Sequence, residues 1–160
     1  MSASHWEELA SGTGCPYDAP IPTSNEYLDF VAELSISSFC LLKNQAYRGS
    51  CAVIFSGRHA TRIDQLTSAE WSAFSQDLYV AHCTIAQAIQ PDHMNVMLLG
   101  NSIPHLHWGI VPRYKSDPRW GHSIFTTSRT DMADVKLPAA EQMALAHLLR
   151  EALVSTFTPR

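Results

Sequence analysis

Apolar residues fall into short blocks separated by polar turns. Ser35 to Lys43 (SISSFCLLK) predicts a strand, Asn44 to Gly49 a turn, and Ser50 to Ser56 (SCAVIFS) a second, buried strand, so the two make a hairpin. Thr67-Ser68-Ala69-Glu70 carries the capping-box pattern that opens a helix. Trp71, Phe74, Leu78, Ala81, Ile85 and Ile89 then recur at helical spacing as one apolar stripe, and Pro91 ends it. Met94 to Leu99 predicts a third strand, Gly100 to Ser102 a turn, and Ile103 to Val111 a fourth strand. Pro138 opens a second helix with Met143, Ala146, Leu149 and Leu153 on one side. Antiparallel strands crossed by one long helix make an α+β domain.

The ends and connections are less patterned. Residues 1–24, rich in Ser, Gly and Pro, read as an irregular N-terminal arm, and 25–160 as a single domain. Tyr114 to Lys136 is a long connection; its Asp117-Pro118-Arg119-Trp120-Gly121-His122 segment is expected to fold back near a site.

Composition narrows the function classes. At 160 residues, 46% hydrophobic and 16% charged, the chain is long enough to bury a core as one globular domain. A net charge of −4 gives no support for a polyanion-binding surface, so no nucleic acid polymer is expected as a partner. The four cysteines (Cys15, Cys40, Cys51, Cys83) contain no Cys-x-x-Cys pair and read mainly as buried small hydrophobes. Met1 to Gly14 is polar with no apolar signal core, and no apolar run approaches a membrane span. The expectation is a cytoplasmic protein with reduced thiols.

The chemistry concentrates between Gly100 and Tyr114 (GNSIPHLHWGIVPRY). On a strand, His105, His107 and Gly109 would share one face, and Leu106, Trp108 and Ile110 the other. Two imidazoles on an apolar strand cost burial energy unless they have partners or a task. A neutral imidazole is a good nucleophile near neutral pH, provided its other nitrogen is held in one tautomer. Gly100, Asn101 and Ser102 form a tight polar loop whose amides suit a phosphate.

This segment resembles the histidine-triad family of nucleotide hydrolases and transferases, whose signature strand reads His-apolar-His-apolar-His-apolar-apolar. His105 and His107 fill the first two places, and Gly109 stands at the third. The resemblance runs roughly from Cys15 to Trp120. It includes a strand preceded by Tyr47-Arg48-Gly49 and followed by Arg58-His59, the long helix, and the Leu-Gly-Asn loop.

The resemblance implies a five-stranded antiparallel sheet with one long helix across it and a second, C-terminal helix. It also implies a homodimer joined through the long helix and the sheet edge. The activity implied is cleavage of a nucleoside monophosphate from a phosphoramidate, an adenylylated amine or a dinucleoside polyphosphate, through a covalent nucleotidyl-histidine. His107 would be the nucleophile, its second nitrogen bonded to a backbone carbonyl, with His105 behind it. Gly100, Asn101 and Ser102 would hold phosphate, and Asn44 and His59 the rest of the nucleotide. Two alternatives stay open: a nucleotide-binding module with weak or no turnover, which Gly109 favours, and a specialised relative with a changed substrate. Gly109 is expected to leave an open space, filled by water, a side chain such as His122, or a bulky substrate group.

Some bacterial members of the family hold a structural zinc through Cys-x-x-Cys, an upstream histidine and the first triad histidine. Cys15, His59 and His105 match three of these positions, and Asp18 replaces the second cysteine. Tetrahedral zinc accepts carboxylate, but structural sites favour thiolates. The expectation is therefore a chain without a metal or other cofactor.

Overall fold

The structure is a computed structural model that describes residues 2–125 and 134–157. Five strands form one sheet: β1 (Leu28–Glu33), β2 (Ser37–Leu42), β3 (Cys51–Phe55), β4 (His93–Leu98) and β5 (His107–Arg113). Their order is β1-β2-β3-β5-β4, and every neighbouring pair is antiparallel. Three α-helices accompany the sheet: α1 (Ala3–Ala10), α2 (Ser68–Ile89) and α3 (Ala139–Phe157). The α+β architecture with a long central helix and a C-terminal helix is the one expected. No helix among the described residues is long and apolar enough to cross a membrane.

The apolar runs explain which strands lie in the middle. Every residue of β3 and five of the six in β2 are buried, so both of their faces are covered. On one face Phe39, Leu41, Val53, Phe55 and Ile110 pack under Phe74, Ala81 and Ile85 of α2 and Leu145 and Leu149 of α3. On the other, Leu28, Cys40, Ala52 and Ile54 meet Tyr17 and Ile21 from the N-terminal segment. The first residues of the chain thus roof the face that α2 and α3 leave open.

Helix α2 starts where the pattern places it. Thr67 accepts from the Glu70 N–H at 3.2 Å, and Glu70 accepts from the Thr67 N–H at 2.7 Å. Its stripe is used inside the protomer: Phe74, Ala81 and Ile85 are fully buried against the chain's own sheet. The face assigned to a two-fold contact is therefore occupied. Asp77, one turn after Phe74, is 2% exposed and accepts from the Ser35 and Ile36 N–H groups and the Ser37 hydroxyl at 3.1, 2.9 and 2.6 Å. It ties the β1–β2 turn to the helix.

Four expectations need correction. Residues 1–24 are not irregular throughout, because Ser2 caps α1 by accepting from the His5 N–H. A strand, β1, stands where the residue pattern suggested none. Strand β5 begins at His107 rather than Ile103. Before it the chain turns, with the His105 N–H donated to the Ile103 carbonyl and the Leu106 N–H to the Ala60 carbonyl. In α3 the buried side is Gln142, Leu145, Ala146, Leu149 and Ala152, while Met143 is 71% exposed.

The connection after β5 is pinned by Arg113, which is 4% exposed. Its guanidinium donates to Asp117 at 2.6 Å, Asn95 at 3.0 Å, and the His122 and Arg119 carbonyls at 3.2 and 2.7 Å. This anchor lies six residues along the strand from His107, roughly 20 Å at 3.3 Å per residue. His122 is accordingly held beside Asp92 and His93 rather than near Gly109. Residues 126–133 of the connection lie outside the described residues.

Replacing Asp77 with Ala would leave the buried Ser37 hydroxyl and the part-buried Ser35 and Ile36 N–H groups without their acceptor. We expect Asp77→Ala to lower the unfolding free energy by about 3 kcal/mol, from the cost of unpaired buried donors, measured by urea denaturation. A loss no larger than that of an exposed substitution would refute this role.

Candidate active site

The site is built from the ends of β3 and β5 and the N-terminal segment. His107 lies on the sheet face opposite the helices, paired with Ile54 of β3. Its Nδ1–H donates to the His105 carbonyl at 2.7 Å, which fixes the tautomer and leaves the Nε2 lone pair free. His107 lines a cavity of about 460 Å³ together with Thr61, Arg62, Leu99 and Gly100. Asn101 and Ser102 are exposed in the adjoining turn.

His105 is 1% exposed and stands behind His107. Its Nε2–H donates to the Phe55 carbonyl at 2.6 Å. Burial pushes both imidazoles below the ordinary histidine value, although the hydrogen bonds to carbonyls act in the opposite direction. Tyr17 sets its ring edge-on to both, with centroid distances of 5.7 Å to His105 and 5.5 Å to His107.

On the far side of His105, four side chains converge. The ligand atoms of Cys15, Asp18, His59 and His105 all lie within 4.8 Å of one another. Asp18 Oδ1 is 2.9 Å from His59 Nδ1 and 3.1 Å from His105 Nδ1, and Cys15 Sγ is 3.6 Å from His105 Nδ1. His59 donates its Nε2–H to the Ala10 carbonyl at 3.1 Å, as His105 does to Phe55. Neutral rings so held turn two Nδ1 lone pairs onto one carboxylate. Acceptors keep such spacing only around added protons or a cation. The donor set, one sulfur, two nitrogens and one oxygen, fits a tetrahedral divalent ion with bonds of roughly 2.0–2.3 Å. Asp18 supplies the fourth atom of this cluster, at the position where a second thiolate would stand.

No protein-family model and no curated protein sequence matches the chain. Solved structures do. A histidine triad protein from Bradyrhizobium japonicum superposes with a TM-score of 0.72 at 18% identity, over 86% of this chain and 99% of that one. One from Sinorhizobium meliloti gives 0.69 at 15% identity, over 78% and 89%. A zinc-bound histidine triad family protein from Mycobacterium smegmatis gives 0.61 at 17% identity, over 98% and 96%. The chain has the histidine-triad fold.

Within that histidine-triad fold, two of the nucleotide-binding residues expected from sequence lie elsewhere. His59 belongs to the Cys15–Asp18 cluster, with both ring nitrogens engaged. Asn44 accepts from the Ala46 N–H in its own turn and lines a separate cavity with Tyr47, Met97, Val111 and Phe125. Tyr17 and Met97 are the residues that sequence reasoning missed. Tyr17 sits inside the Cys15–Asp18 segment already singled out. Met97 was detectable by register, because pairing β4 with β5 sets it opposite Gly109.

That pairing overturns the open space expected at Gly109. Gly109 pairs with Ala52 on one side and Met97 on the other, so all three face the same way. A Cβ on Gly109 would lie 3.1 Å from Met97 Cγ and 3.6 Å from its sulfur. The methionine side chain covers the place where the triad has its third imidazole.

A single Gly109→His substitution must push Met97 aside. We expect it to leave turnover of an adenosine phosphoramidate no higher than in the parent, and Gly109→His with Met97→Ala to raise it at least about tenfold, a fraction of one transition-state donor's worth. Steady-state rates of the three proteins decide; a gain from Gly109→His alone would show that Met97 does not block the position.

Proposed function

We propose that the chain is a nucleotide hydrolase or transferase that passes a nucleoside monophosphate through His107. The observation that carries this reading is one imidazole with Nδ1–H tied to the His105 carbonyl and Nε2 without a partner among the described residues, lining a cavity beside the Gly100 turn. In the first step Nε2 attacks the α-phosphorus. A P–N bond to His107 forms while the bond to the leaving group breaks, and the leaving group carries off the electron pair and takes up a proton. Water, or an acceptor hydroxyl, then attacks phosphorus, the P–N bond breaks, and the imidazole is regenerated.

A phosphoramidate, an adenylylated amine or a dinucleoside polyphosphate would each supply such a leaving group. Arg62 lies in the same cavity but is paired there with Asp64, so it would have to exchange that carboxylate for phosphate oxygens. A second cavity of about 370 Å³ adjoins His107 through Tyr17 and Ile54 and is walled by Phe30 and Ile21, with Glu33 and Ser38 at its edge. Apolar walls with a few polar groups suit a nucleoside, and this is where we place it instead of at Asn44. Met97 over Gly109 favours the second reading, a nucleotide-binding protein with little turnover.

Cys15, Asp18, His59 and His105 would hold a divalent cation, zinc by donor type. When bound it supplies the positive charge that lets four acceptors converge and locks the N-terminal segment to the residue behind His107.

Mixing the protein with an adenylylated amine and digesting it should show a nucleotidyl adduct on His107 by mass spectrometry, and His107→Ala should lose both adduct and nucleotide release. An adduct on His105, or full activity in the variant, would sink the assignment. Saturable nucleotide binding with neither adduct nor release selects the second reading.

Metal content gives an independent check. Protein purified without added metal should carry close to one equivalent of zinc by elemental analysis, and Cys15→Ser should carry well under half of it. A metal-free parent protein would mean that protons, not a cation, hold the cluster together.

A further inference from the structure

A larger cavity lies away from His107. Between the outer strand β1 and the first half of α3 is a space of about 730 Å³, against about 460 Å³ beside His107. This is within the range of small-molecule sites, roughly 300–1,000 Å³. Strand β1 is three strands from β5, and the cavity opens under α3, on the sheet face that His107 does not occupy. The two spaces are therefore separate.

Its lining combines charge and hydrocarbon. Lys43, Lys136 and Arg150 face it with a single carboxylate, Asp29. Asp29 is matched by Lys43 at 2.6 Å. Burial opposes the ionisation of Asp29, but bonds from Lys43, Ser24 and Gln142 outweigh it and hold the carboxyl below its ordinary range. Arg150 donates to the Phe30 and Val31 carbonyls, neutral acceptors, and no carboxylate among the described residues pairs with it. Among the described residues, Lys136 pairs with Asp134 alone, at 3.9 Å. Cationic charge is thus in excess here, on a chain whose net charge is −4.

The floor is polar and incompletely paired. Gln142 donates to Asp29 at 2.8 Å and to the Leu42 carbonyl at 3.1 Å, while its buried Oε1 has no partner among the described residues. Leu137 and Ala146 supply apolar wall, and Met143 projects at the mouth, 71% exposed. A flexible, polarisable methionine held open to solvent suits an adaptable contact surface.

We propose that this cavity is a second binding site, for a small organic anion: a carboxylate or phosphate head carried on an aliphatic or aromatic body. The head meets the field of Lys43, Lys136 and Arg150, and the body lies on Leu137, Met143 and Ala146. Ionic attraction across a partly buried site adds both affinity and selection against cations.

Titration of ¹⁵N-labelled protein by NMR tests this with octanoate, phenyl phosphate and, as the cationic control, octylamine. At least one of the anions should shift amides of β1 and the first half of α3 saturably, and octylamine should not. A response to octanoate alone assigns a carboxylate ligand, and one to phenyl phosphate alone a phosphate. Lys136→Glu with Met143→Glu, both at exposed rim positions, should weaken the binding about tenfold or more. Shifts confined to the His107 face, equal binding of octylamine, or no saturable response to either anion would overturn the proposal.

Discussion

His105 is the residue on which the candidate active site depends. Its Nε2–H is spent on the Phe55 carbonyl, its own carbonyl fixes His107, and its Nδ1 faces Asp18 and Cys15. Burying an imidazole this deeply is costly unless both nitrogens are satisfied. Strand β3 satisfies one, and the N-terminal segment must be brought in to meet the other. The backbone carbonyl of His105 thus orients the nucleophile candidate, while its desolvated ring ties the N-terminal segment to the sheet.

The sheet register acts as an addressing system for everything else on that face. Cys40, Ala52, Gly109 and Met97 stand opposite one another across four strands, so a change at one is felt by its neighbours in the row. A glycine inside a strand forfeits packing and backbone order. Here the loss is offset because a long, flexible side chain from the next strand lies across it. The chemistry available beside His107 is consequently shaped by a residue of β4 as much as by the signature strand itself.

Most of the architecture was legible because its signals are local. The SFCLL and CAVIF runs, the Thr67–Glu70 box and Pro138 each determine structure through neighbours a few residues away. Strand β1 was not legible, since its Asp29 is buried by pairing with Lys43 and Gln142, the latter 113 residues distant. The early start assigned to β5 came from extending a two-residue alternation through Pro104, which has no N–H for a ladder. Met143 was placed inside because helical spacing alone does not reveal which side of α3 meets the sheet; Gln142, a polar residue, takes the inward position instead. In the site, His107 and His105 were readable from the motif. The separation of His59 and Asn44 from the cavity beside His107 was not, because it depends on where the N-terminal segment and the Asn44 turn settle in three dimensions.

The N-terminal roof also sets an order of events during synthesis. Cys15 and His105, 3.6 Å apart in the finished protein, are separated by 90 residues of chain. At about 5–20 residues per second, the thiol leaves the ribosome roughly 5–18 s before its partner does. Cys15 therefore spends that interval without the imidazole it packs against.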